Sequence, residues 1–142
     1  MKVDILKQFS IFMPNRPGAL SGLLRLLTEK EVNILGVASE VRDDSGVVRL
    51  AVSPDAEVSA ILSSGGFSSV ETNVLAVEVN NKPGGFSRIA KALADGKINI
   101  TTVYGSSAAG AAGAGEVSRI FIAVENVPKA RALLESLEVP TR

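Results

Sequence analysis

The chain has 142 residues, 15 Lys+Arg against 15 Asp+Glu, a sequence pI near 6.3, and neither His nor Cys. That composition excludes an imidazole base, a Ser-His-Asp triad, a disulfide framework, a zinc knuckle and a thiol nucleophile. A formal net charge of zero argues against nucleic acid as the partner, since phosphate binding needs clustered excess Lys/Arg. Apolar residues at 46% and charged residues at 21% place the chain among folded proteins, and aromatics at 4% require an aliphatic core. Charges at Lys2, Asp4 and Lys7 interrupt any secretory apolar run, and no window approaches a membrane span. The expected location is cytoplasmic, with no membrane partner.

In chain order, Gln8–Met13 alternates well enough for a strand, and Asn15-Arg16-Pro17-Gly18 is a loop. Leu20, Leu23, Leu24 and Leu27 then mark one buried helix face. Val32–Val41 reads as a strand, with a turn around Asp43-Asp44-Ser45-Gly46 and Val47–Val52 as its hairpin partner. Ser53-Pro54-Asp55 opens a second helix, with Ser53 as N-cap and Pro54 at the first position. Val58, Ile61 and Leu62 stripe that helix, Gly65-Gly66 ends it, and Phe67–Val74 forms a fourth strand. Leu75–Asn80 is the next strand, and Phe86, Ile89, Ala90 and Leu93 mark the following helix. Ile98–Tyr104 and Val117–Val124 pair around an Ala/Gly-rich loop. A helix near Pro128 presents Ala130, Leu133, Leu134 and Leu137, leaving Glu138–Arg142 for a short last strand.

The order repeats because the sequence does. Residues 14–38 set over 80–104, an offset of 66, share eight identities in 25 positions, including Asn15/Asn81, Pro17/Pro83, Gly18/Gly84, Asn33/Asn99 and Ile34/Ile100. Beyond residue 104 the offset grows to 70, with the four extra residues inside the Ala/Gly run. Each half is strand-helix-strand-strand-helix-strand, which closes as an antiparallel sheet with both helices on one face. The expected class is α+β, built from two ferredoxin-like βαββαβ repeats at residues 1–73 and 74–142. Halves this small leave edges and apolar surface that pairing removes, so the halves should associate and the chain should form a homodimer.

Two stretches carry a family resemblance. Asn15-Arg16-Pro17-Gly18-Ala19-Leu20 with Val32-Asn33-Ile34, and Asn81-Lys82-Pro83-Gly84-Gly85-Phe86 with Ile98-Asn99-Ile100, resemble the ACT domain, a small ligand-binding module of amino-acid metabolism. The resemblance spans nearly the whole chain. It implies a small ligand, an amino acid or related metabolite, bound near these loops where two domains meet. The local physics agrees: Gly permits close backbone approach, and the first helix N–H groups lie at the positive end of the dipole. A carboxylate is a natural guest there. Asn15, Gly18, Ala19, Leu20 and Asn33 are candidates for one site, and Asn81, Gly84, Gly85, Phe86 and Asn99 for its counterpart. Leu20 against Phe86 makes the two unequal.

Other features point to structure. Asp43-Asp44 is turn chemistry, because two adjacent acids do not make an octahedral metal site. The Ala/Gly run matches no phosphate-cradling motif, and nothing singles out Lys82, Lys91 or Lys97 as a nucleophile. The expectation is a stand-alone regulatory protein without catalysis, cofactor or metal. The alternative is a ligand-independent interaction module, or a regulatory subunit of a metabolic enzyme.

Overall fold

The structure, a computed structural model, describes residues 1–80, 82–107 and 117–137. Its described elements run β1 (Val3–Pro14), α1 (Ala19–Glu29), β2 (Gly36–Arg42), β3 (Ser45–Val52), α2 (Val58–Ser64), β4 (Ser68–Asn80), α3 (Gly85–Asp95), β5 (Ile100–Ser107), β6 (Val117–Val124) and α4 (Val127–Glu135). They divide into two compact units, Leu6–Thr72 and Met1–Ile5 with the chain from Asn73 onward. The class is α+β, as the alternating patterns require.

In the unit of Leu6–Thr72, β3 pairs antiparallel with β1 on one side and with β2 on the other. Phe9, Ile11 and Met13 of β1 and Val48, Leu50 and Val52 of β3 alternate onto one face. Leu23 and Leu27 of α1 and Val58 and Leu62 of α2 close over that face. The other unit repeats the plan. β6 pairs antiparallel with β4 and β5, and Leu75, Val77, Val79 and Ile122 meet Ile89 and Leu93 of α3 and Ala130 and Leu134 of α4. Val3 joins this second core, and the Met1 amine donates to the Leu137 carbonyl at 2.8 Å.

The 66-residue offset is kept to the residue in α1 and α3. α1 and α3 are both 11 residues long, and each begins after a glycine in the left-handed region, Gly18 at φ 88° and Gly84 at φ 91°. Each also ends in the same motif. Val32 N–H donates to the Leu27 carbonyl and Glu31 N–H to Thr28; Ile98 and Lys97 repeat this on Leu93 and Ala94. These are Schellman caps whose left-handed residue is not glycine: Glu31 at φ 57° and Lys97 at φ 58°. Because an L side chain is strained there, Glu31→Gly and Lys97→Gly should each raise stability by about 0.5–1 kcal/mol. Thermal unfolding reads this out, and a lowered melting temperature would contradict it.

Several boundaries differ from the sequence expectation for identifiable reasons. β1 starts at Val3 rather than Gln8, since Val3 and Leu6 are buried. β2 and β5 start at Gly36 and Ile100, not Val32 and Ile98, because Val32 and Ile98 serve in the helix caps. Phe67–Val74 and Leu75–Asn80 are a single 13-residue strand, β4, as no Gly or Pro interrupts Asn73-Val74-Leu75. The helix expected from Ser53 begins only at Val58. Ser53 instead closes a turn: its carbonyl accepts from Ala56 N–H and its hydroxyl donates to the Asp55 carboxylate, which holds that carboxyl below its usual value. α4 starts as expected around Pro128, with Asn126 as cap accepting from Lys129 N–H at 3.1 Å. The Ala/Gly loop from 108 to 116 and the last strand expected at Glu138–Arg142 lie outside the described residues.

Candidate functional site

The two Pro-Gly loops share a backbone design and differ in surroundings. In the first, Ala19 N–H donates to the Arg16 carbonyl; in the second, Gly85 N–H donates to the Lys82 carbonyl. These tight turns enter α1 and α3 through left-handed glycines, where an added Cβ would meet open space but a strained backbone.

The first loop is tied to its neighbouring hairpin. Asn15 N–H donates to the Asp44 carbonyl at 2.9 Å, and Asn15 Nδ2 donates to the Asp43 carbonyl at 3.0 Å. Asp43 itself sits at φ 56°, so Asn15 braces a two-residue turn in a conformation its backbone resists. Asn15→Ala should therefore cost about 0.5–1.5 kcal/mol of stability, read by chemical denaturation. No loss would mean the tether is idle. Gly18 and Leu20 are exposed, and Ala19 is half-buried against the core.

The second loop opens onto a cavity. Gly84 and Gly85 line a space of about 390 Å³ together with Pro83, Lys82, Arg88, Val79, Asn80, Glu78, Val117, Met1 and Lys2. Three of these side chains are basic and one is acidic. Glu78 is the register partner of Arg119 on β6, whose guanidinium lies 3.8 Å from the Asp4 carboxylate and 5.5 Å over the Phe121 ring. Arg88 is half-buried in the first turn of α3, and its Nη1 is buried without a hydrogen-bond partner. Phe86 is exposed beside the loop, and Asn81 lies outside the described residues.

Asn33 and Asn99 sit elsewhere within their units. Each is exposed in the connector after its helix, at the opposite end from the Pro-Gly loop. An 11-residue helix puts about 16 Å between those ends. Asn33 borders a separate hollow of about 540 Å³ with Glu31, Leu35, Ser53 and Asp55. Within a unit, the loop residues and the connector asparagines therefore do not converge.

The residues that sequence reasoning missed are Lys2, Glu78, Asn80 and Arg88. Arg88 left a trace: at the 66-residue offset its counterpart is Gly22. A polar helix position that differs so sharply between two otherwise matched repeats was the available signal. Among the described residues, no group of three or more His, Cys, Asp or Glu could hold a metal ion. No described helix is long and apolar enough to cross a membrane.

Comparison with solved structures supports the fold. Protein BT0572 from Bacteroides thetaiotaomicron superposes with a TM-score of 0.79 at 22% identity, covering 94% of this chain and 88% of that one. The regulatory subunit of aspartate kinase from Thermus thermophilus gives 0.68 at 17% identity, covering 96% of each chain. Aspartate kinase from Clostridium acetobutylicum gives 0.60 at 18% identity over 92% of this chain, but only 32% of the longer enzyme. No curated protein matches the sequence. The family model of the ACT domain pair matches residues 4–135, and such a pair is a regulatory module rather than a catalytic one. With matched strand and helix order in the two units among the described residues, duplicated Pro-Gly loops, and a family model over residues 4–135, the chain belongs to the ACT domain pair family.

Proposed function

We propose that this regulatory protein binds an amino acid or a closely related metabolite at the second Pro-Gly loop. The observation that carries this reading is the cavity of about 390 Å³ that opens on Gly84 and Gly85. Its size suits a small metabolite, its glycines let a ligand approach the backbone, and its basic side chains favour a carboxylate. Binding would regulate by favouring one arrangement of the protein over another. The site expected from Asn15, Gly18, Ala19, Leu20 and Asn33 is the weaker candidate, because the Asn15 amide already braces the hairpin.

A thermal-shift screen of the twenty amino acids tests this directly. A ligand at one hundred times its Kd adds about 2.7 kcal/mol of stability. Gly84→Ala should reduce the shift through a strained loop, whereas Gly18→Ala should leave it intact. An amino acid whose shift survives Gly84→Ala binds elsewhere.

The second reading is an interaction module acting on a metabolic enzyme or a second copy of the chain. Val37 on β2 and Val103 on β5 favour it. They are repeat counterparts on the outermost strands of their units, 54% and 42% exposed. The regulatory role of the Thermus thermophilus subunit supports an enzyme as partner. In sedimentation velocity the parent should run as a dimer and Val37→Lys or Val103→Lys as a monomer; a monomeric parent, or variants that stay dimeric, would mean that these strands do not join two copies.

A further inference from the structure

We infer that Arg88 makes the second-loop cavity a receptor for anionic ligands, so that a dicarboxylate or acidic amino acid is preferred over a basic one. This rests on the loop being a ligand site, and it adds what kind of ligand the site takes. A guanidinium nitrogen buried without a partner is costly, since it has lost water and gained no acceptor. A carboxylate in the cavity supplies that acceptor, and Arg is the side chain whose fork matches it in bidentate fashion.

The surroundings agree in sign. Lys2 and Lys82 line the same cavity, while the chain as a whole carries no net charge. Glu78 is the single acid among the lining residues, against Lys2, Lys82 and Arg88. Positive charge is thus concentrated at this place on a neutral protein. The first repeat has no such device, because Gly22 stands where Arg88 would be and Phe12 where Glu78 would be. One duplicated loop has become an anion receptor, and the other a brace for a hairpin.

The test is calorimetric titration and thermal shift on the full chain with L-aspartate, L-glutamate, succinate, inorganic phosphate and L-lysine. The parent protein should bind at least one dicarboxylate about tenfold or more tightly than L-lysine. Arg88→Met should weaken that binding about 10- to 100-fold. In the ligand-free state Arg88→Met should melt at the same temperature or higher, because the unpaired buried nitrogen is gone. Arg88→Lys keeps the charge, loses the fork and should also bind at least tenfold more weakly. Arg131→Met, an exposed change of equal charge on α4, should bind like the parent. Phosphate competing with the dicarboxylate in the parent but not in Arg88→Met would support the same anion site. Dicarboxylate affinity unchanged in both Arg88 variants overturns the inference, as does tighter binding of L-lysine; in either case a loop ligand still stands. Binding of none of the twenty amino acids, succinate or phosphate overturns both.

Discussion

Leu93→Ala is expected to cost about 2–5 kcal/mol of stability, among the largest effects of any single truncation in this chain. Leu93 is fully buried on α3 and packs with Leu75, Val77, Val79, Ile89 and Leu134. With only 4% aromatics, the core depends on such aliphatic side chains, and the vacated space has no flexible neighbour ring to collapse into it. Its repeat counterpart Leu27 occupies the equivalent place over Phe9, Ile11 and Leu50, and Leu27→Ala should cost a similar amount. Urea unfolding should show a lowered midpoint with little change in slope. A loss below about 1 kcal/mol in either variant would mean that the helices do not close the cores as described.

Gly85→Ala should affect both folding and binding. A Cβ at Gly85 would lie 2.7 Å from the Asn80 carbonyl oxygen and 3.6 Å from Val79 Cγ2. The first neighbour is backbone, and it already accepts a hydrogen bond from Lys82 N–H at 2.8 Å. Relief requires the end of β4 and the start of α3 to move apart, at a cost of about 1–3 kcal/mol. Because Asn80, Lys82 and Gly85 all line the cavity, ligand affinity should fall at least about tenfold. Ala19 occupies the same position in the first repeat, so Ala19→Gly is the matched control and should not change affinity. Equal binding by Gly85→Ala and the parent would show that this corner of the cavity does not touch the ligand.

Much of the architecture was legible because the duplication writes it twice. Pro-Gly pairs 66 residues apart demand the same loop, and the two loop glycines differ by only 3° in φ. Apolar spacing, Leu20, Leu23, Leu24 and Leu27 in one repeat and Phe86, Ile89, Ala90 and Leu93 in the other, located α1 and α3, of which Leu23 with Leu27 and Ile89 with Leu93 are buried. Helix ends were harder. The left-handed caps are Glu31 and Lys97, residue types that ordinarily signal nothing about positive φ. Strand division failed at Val74-Leu75 because the repeat boundary carries no turn residue there.

The candidate site was legible only in its backbone. Gly84 and Gly85 follow from the motif, whereas Arg88 on a helix reads as an ordinary solvated charge. Its significance depends on Met1, Lys2 and Glu78 being brought beside it, and that is a matter of long-range packing. The connector asparagines show the converse. Asn33 and Asn99 are as well matched as the loop residues, yet the helix length carries them to the far end of each unit.

The most direct measurement is amide NMR of the uniformly ¹⁵N-labelled chain, titrated with the amino acid that gives the largest thermal shift. The amides of Lys2, Lys82, Gly84, Gly85 and Arg88 should move together with one saturation curve, while those of Gly18, Ala19 and Gly22 stay in place. Shifts centred on the first loop, or on the connectors at Asn33 and Asn99, would contradict a ligand site at the second Pro-Gly loop.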